Sequence, residues 1–310
     1  MVNVARRRIH RRHGPPAPAF KAVAVGTENF YRCTGDIANG WVQILPKPVP
    51  QSLAVAYSGA LTRFVIGSYN TLQAAYSDDY GVTWTNVAIP GIFHALIWIP
   101  TQNQFVAFGP STCYTSPDGI TWTTRTIAAV SWNSAAYSPS LDRIVVVGPS
   151  TAARSDDGGV TWTTAATTST GGNGVMWSES DSQFVLASRT GSSVMTSPDG
   201  ITWTERATGV PSNSPAQNTI DNDYLVSPQT LTTGLKSVDG ITWTAAAMFS
   251  GSQPVLKWAR DRSSFLSGGF STGLFFSTLP AGGWTGCTVS GIATGGSFYG
   301  IATTDSVSNP

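Results

Sequence analysis

One short string recurs along the chain and constrains everything else. SDDYGVTWT begins at Ser77, SPDGITWT at Ser116, SDDGGVTWT at Ser155, SPDGITWT at Ser197 and SVDGITWT at Ser237. Two degenerate relatives extend the series: TGDIANGW, which ends at Trp41 and keeps its acid as Asp36, and STLPAGGW, which ends at Trp284. The tryptophans Trp41, Trp84, Trp122, Trp162, Trp203, Trp243 and Trp284 then stand 43, 38, 40, 41, 40 and 41 residues apart. A period of this length marks a fold assembled from repeated units, none of which can bury its apolar face alone.

Each unit also carries an aromatic residue followed seven positions later by a short apolar run: Tyr57 and Phe64, Trp98 and Phe105, Tyr137 and Ile144, Trp177 and Phe184, Trp258 and Phe265. With 32 Gly, 19 Pro and only 11% charged residues, the composition opposes long helices and favours short strands and many turns. In the second unit the strands read LAVAYS, FVIGS, QAAYS and TWTNVAI, joined by the polar GALTR, SYNT and the Asp-Gly-type turn before Trp84. Four strands every 40 residues is the arithmetic of a β-propeller blade, so the expected fold is all-β, a seven-bladed β-propeller. The sixth unit reads as shortened at TIDNDYLVS.

The chain ends fit the same template. The segment from Phe20 to Leu45 supplies three strands, KAVAVG, NFYRCTG and WVQIL, while SFYGIATTDS near the C-terminus resembles an innermost strand. One C-terminal strand joining three N-terminal strands closes the ring and removes its open sheet edges. The expected organisation is an N-terminal arm over 1–18 and the propeller over 19–310.

The repeated string resembles the Asp-box, S-x-D-x-G-x-T-W, also called the BNR repeat, of sialidase-like and sortilin-like propellers. The copies at Ser77 and Ser155 have the full spacing; those at Ser116, Ser197 and Ser237 are one residue shorter before glycine. As a turn, the string calls for Asp79, Asp118, Asp157, Asp199 and Asp239 to accept backbone N–H groups, with Trp84, Trp122, Trp162, Trp203 and Trp243 packing on the sheet. These are structural roles. The resemblance also implies that the box lies on the rim opposite the face that carries activity in sialidases.

That geometry sorts the charges. Arg63, Arg143, Arg260, Arg262, Glu179, Asp142, Asp181, Asp221, Asp223, Asp261 and Asp305 fall on the box side, and Arg125, Arg206 and Glu205 on outermost strands. The opposite face keeps Glu28, Arg189 and His94. A sialidase needs three converging arginines, a Tyr–Glu pair, an acid and an Arg-Ile-Pro motif, and this set cannot be assembled here. Glycoside hydrolysis needs two carboxyl groups about 5–9.5 Å apart, and one is offered. No catalytic residues, no metal ligands and no cofactor are therefore assigned, and the protein is expected not to be an enzyme. Cys33, Cys113 and Cys287 are odd in number, far apart and without CxxC spacing, which reads as unpaired thiols. No signal peptide and no membrane span are expected.

Recognition remains. The candidate ligand-binding residues are Glu28, Tyr69, His94, Trp132 and Arg189, in loops of small polar residues with occasional aromatics. The arm holds Arg6, Arg7, Arg8, Arg11 and Arg12, a charge of +5, while the rest of the chain carries 13 basic against 17 acidic residues, or −4. Such an arm suits nucleic acid or an anionic protein surface, with GPPAP as an extended spacer. Low charge, Ser/Thr/Gly-rich repeats and a short basic arm are similar to virion proteins of tailed bacteriophages. The resemblance implies a structural protein of the particle (tail, fibre or capsid decoration). It would be anchored to other virion proteins through 1–18 and display the propeller to a host-surface glycan or protein. A soluble cytoplasmic glycan-binding lectin, a protein-docking assembly factor and a sialidase-like glycosidase are the alternatives.

Overall fold

The computed structural model describes residues 21–167, 171–190, 193–207, 211–229, 233–248, 255–259, 263–269, 273–277, 285–286, 289–290 and 297–304. The arm, Phe249, Arg260, Asp261, Arg262, Trp284, Cys287 and Asp305 lie outside these residues. Seven antiparallel sheets follow one another along the chain and form the blades of a ring. The innermost strands are Ser52–Ser58, Ala95–Ile99, Ser134–Ser138, Gly172–Ser178, Ser212–Gln217 and Val255–Ala259 for blades 2 to 7. Blade 1 takes its innermost strand, Phe298–Thr303, from the C-terminal end, paired antiparallel to Lys21–Gly26 with Ile301 opposite Ala24. This is the closure the sequence predicts. A short strand beyond the expected four, Val289–Ser290, also runs parallel to Trp41–Gln43 on the outer edge of blade 1.

Each second strand is a nearly continuous apolar run because both of its faces meet another blade. Phe64, Val65 and Ile66, or Phe184, Val185 and Leu186, are fully buried. The core accordingly divides into seven clusters, one between each pair of adjacent blades. The aromatic pairs seen in the sequence are direct contacts across the first two strands, with ring centroids 4.7 Å apart for Trp98 and Phe105 and 4.6 Å for Trp177 and Phe184.

The repeated turn is built by its own side chains. Asp199 Oδ1 accepts the N–H groups of Ile201 at 2.8 Å and Thr202 at 2.7 Å, and the Ser197 hydroxyl donates to it at 3.0 Å. Burial alone would raise this carboxyl, but those donors outweigh burial and hold it down at about 2. Gly200 sits at φ +75°, and a Cβ there would lie 2.2 Å from Val145 Cγ2 of the preceding blade. Glycine is thus needed both for the turn and for blade packing. The indoles of Trp84, Trp122, Trp162, Trp203 and Trp243 are half-buried rather than buried. Trp84, Trp122, Trp162 and Trp243 each donate Nε1 to the turn glycine's carbonyl at 3.1–3.2 Å. Of the described series only Trp41 is fully enclosed.

Two features of this rim were not read from the sequence. In blades 2 to 5 the first residue of the second strand reaches across to the turn of the next blade. Arg63 donates to the Asp118 carbonyl at 2.7 Å, Gln104 to Gly158 at 2.9 Å, Arg143 to Asp199 at 3.1 Å and Gln183 to Asp239 at 3.4 Å. The sixth unit, moreover, is not shortened. Its hairpin has the same length as the others, with Asn218 N–H bonded to the Asp223 carbonyl. Asn218 Oδ1 accepts Ile220 N–H at 2.8 Å and Asp221 N–H at 3.4 Å, the latter standing where Leu61 and Leu141 donate to the Ser58 and Ser138 hydroxyls in blades 2 and 4. A residue at positive φ closes each hairpin: Thr62, Asn103, Asp142, Ser182, Asn222 and Ser263. Asn for Ser disguised the equivalence.

Candidate functional site

Radial blades leave their innermost strands around a central channel, and the face opposite the repeated turn opens into a cavity of about 530 Å³. Its rim is set by one position per blade. Pairing registers put Leu53, His94, Asn133, Asn173, Asn213 and Tyr299 in equivalent places, just ahead of or at the start of the innermost strand in blades 2 to 6 and 1. Asn133, Asn173 and Asn213 recur every 40 residues, a spacing that could have revealed them in the sequence. Their amides tie neighbouring blades: Asn133 Nδ2 donates to the Gly172 carbonyl at 2.9 Å, and Asn173 Nδ2 to Asn213 at 3.4 Å.

Tyr69, His94 and Arg189, expected separately from three loops, line this one cavity together. Tyr69 rides on a loop pinned by the Ser68 hydroxyl, which accepts Thr71 N–H at 3.2 Å, and by Asn70 donating to Gln51 at 2.9 Å. Arg189 is exposed, and its backbone N–H bonds to the Gly171 carbonyl at 2.7 Å. His94 is half-buried; burial lowers its pKa against a hydrogen bond to the Trp132 backbone, so the imidazole is neutral at pH 7. Tyr299, unnoticed in the sequence, sits near both: burial raises its phenol, Tyr69 adds to the rise and Arg189 opposes it. Lys257, a lone lysine within VLKWA, also lines the channel and is buried.

Two expected ligand residues stand elsewhere. Glu28 does not line the cavity but pairs with Lys47 at 2.9 Å on the surface. Trp132 is 0% exposed, enclosed among Phe108, Cys113, Ile127, Ala135 and Tyr137 between blades 3 and 4. The correction has a plain cause: the apolar pocket between those blades is large enough for an indole, and SWN sits where the chain dives inward. The arginines of the arm lie outside the described residues. Cys33 and Cys113 are buried, the Cys33 thiol donating to the Asp36 carbonyl at 3.2 Å, and burial pushes the Cys113 thiol up to about 12, too high for a reactive thiolate.

The cavity lining contains Arg189, Lys257 and His94 and, among the described residues, no carboxylate. It also offers no cluster of His, Cys, Asp and Glu able to hold a metal among those residues. Such a lining suits recognition by hydrogen bonds and positive charge. No helix among the described residues is long and apolar enough to cross a membrane.

No protein-family model matches the chain, and no curated protein matches it. Solved structures do resemble it. One described as YCF48 bound to D1 peptide is 15% identical, covering 81% of this chain and 89% of that one, at a TM-score of 0.63. Another, a nidogen/laminin complex, is 9% identical, covering 92% and 98%, at 0.60. At these identities the likeness is one of fold.

Proposed function

We propose that this chain is a non-enzymatic binding propeller that engages a protein partner at the channel mouth opposite the repeated turns. The observation that carries the reading is the convergence of Tyr69, His94, Arg189 and Tyr299 on one cavity whose described lining holds no carboxylate. Aromatic and amide groups around a concave apolar floor are what a binding site requires, whereas glycoside hydrolysis of the usual kind uses a carboxyl pair. The structural relatives named for a peptide and for a protein complex lend this reading the same direction. The repeated turns keep their Asp-box reading as scaffold. The setting that the low charge and the basic arm support is a tailed-phage particle, with residues 1–18 as the anchor to other virion proteins.

A photo-reactive phenylalanine at Tyr69 tests the site, with one at Val82, exposed on the turn rim, as the control. Incubated with disrupted particles, the Tyr69 probe is expected to couple to a protein and the Val82 probe is not. Coupling from Val82 alone, or a site that captures only glycan on an array, overturns the proposal.

A further inference from the structure

The innermost strands are not equivalent where their edges face the channel. In blade 5 the Val175 N–H is taken by the Ser134 hydroxyl of blade 4 at 3.2 Å. In blade 7 the Leu256 N–H goes to the Ser214 hydroxyl of blade 6 at 3.3 Å, which donates in turn to the Leu256 carbonyl at 3.4 Å. Blade 6 presents Pro215, which has no N–H, beside Gly174, where a Cβ would stand 2.8 Å from the proline ring. Blades 5 to 7 are therefore closed along this edge.

In blades 1 to 4 no described side chain takes the corresponding N–H, and the edge is open. Val55, Leu96, Ala135 and Ile301 face Ile66, Ala107, Val146 and Ala24 in the ladder, the places that Val175 and Leu256 hold opposite Leu186 and Ser267. An antiparallel ladder turns every second N–H away from its partner strand, so these four also face the channel. The residues standing where Ser134 and Ser214 do are Gly300, Ala54, Ala95 and Val255, and none of their side chains has an acceptor. A backbone N–H in such a cavity needs an acceptor from solvent or ligand. The carbonyls of the same residues share this edge and disfavour an anion. Arg189 in the lining, which holds no carboxylate among the described residues, reverses that balance.

We infer that the channel mouth captures the free C-terminal carboxylate of a peptide partner, on the open N–H edge of blades 1 to 4 with Arg189 as the counter-charge. The inference rests on the protein-binding reading above and names its ligand. A chain terminus enters a closed ring end-on, whereas an internal segment has to fold into a hairpin, and about 530 Å³ holds the end of a chain rather than its length. An N-terminal amine would meet the Arg189 guanidinium.

The test uses a library of heptapeptides with random sequence, prepared once as C-terminal acids and once as amides. Retention on the immobilised full chain is read by mass spectrometry. Acids are expected to be retained at least tenfold over amides, and R189Q to remove the difference. The double variant A54S/A95S, which supplies the hydroxyls that blades 4 and 6 already carry, is expected to lower acid retention at least fivefold. Should A54S/A95S fail to fold, R189Q on the exposed loop decides alone. Equal retention of acids and amides overturns the carboxylate while leaving peptide binding intact. No retention of either form overturns both.

Discussion

Trp132 separates packing from recognition in a single pair of variants. Its indole is 0% exposed and fills the space between blades 3 and 4. A tryptophan buries about 150–250 Å², which at about 25 cal/mol per Å² is an upper bound of roughly 4–6 kcal/mol. Truncation to alanine in a core that collapses only partly costs about 3–5 kcal/mol. Its Nε1, however, is buried without a hydrogen-bond partner, and an unpaired buried donor costs about 1–3 kcal/mol. Trp132→Phe removes that donor while keeping an aromatic ring, so the lost volume and the relieved donor offset each other to within about 1.5 kcal/mol. Equilibrium urea unfolding of the full chain, followed by far-UV circular dichroism, measures both variants against the parent. Trp132→Ala is expected to lose about 3–5 kcal/mol and Trp132→Phe a small fraction of that. A loss below about 1.5 kcal/mol for alanine, or equal losses for the two, would refute the buried position and return Trp132 to the ligand face.

Other expectations follow from the rim. Asp79, Asp118, Asp157, Asp199 and Asp239 all have pKa values lowered, Asp199 to about 2, against desolvation where they are partly buried and by the N–H and hydroxyl donors of their turns. A carboxyl lowered on folding adds stability above its unfolded pKa of about 3.9, and that stability drains away as pH falls through the folded value. Stability should therefore drop between about pH 4 and 2, and Asp199→Ala should flatten part of that slope. Because these carboxylates are largely solvated, each contributes on the order of 1 kcal/mol rather than the full shift. A pH titration of the thermal midpoint checks both, and a variant slope as steep as the parent's contradicts the assignment. Arg63 pairs with Asp78 at 2.6 Å and ties blade 2 to blade 3 through the Asp118 carbonyl. Arg63→Gln should cost about 1 kcal/mol by the same unfolding measurement, and no loss would mean that the inter-blade tie is idle.

The architecture was legible because a 40-residue period, an alternation of apolar runs and a turn string are all local signals. The seven inter-blade clusters follow from them once each second strand is recognised as buried on both faces. Loops that face away from the turn string were assignable by the same bookkeeping, which is why Tyr69, His94 and Arg189 meet in one cavity. What escaped was whatever depends on neighbours distant in sequence. Trp132 and Tyr69 both look like loop aromatics, but only the inter-blade pocket around Trp132 decides that it is core. Glu28 is neutralised by Lys47, 19 residues away. Asn218 hid a standard hairpin because an amide replaced a hydroxyl in the same hydrogen bond. Tyr299 reaches the rim only because the last strand returns to blade 1, and the open edge of Val55, Leu96, Ala135 and Ile301 is set by which residue the preceding blade happens to carry.

The central claim, that a partner seats on the channel mouth rather than on the turn rim, is tested most directly by amide hydrogen exchange of the full chain with and without saturating acid-form peptide from the retained library. The account predicts slowed exchange at 53–57, 94–98, 133–136 and 299–302, with the turns at 77–84, 116–122, 155–162, 197–203 and 237–243 unchanged. Protection confined to those turns, or to residues 1–18, would contradict it.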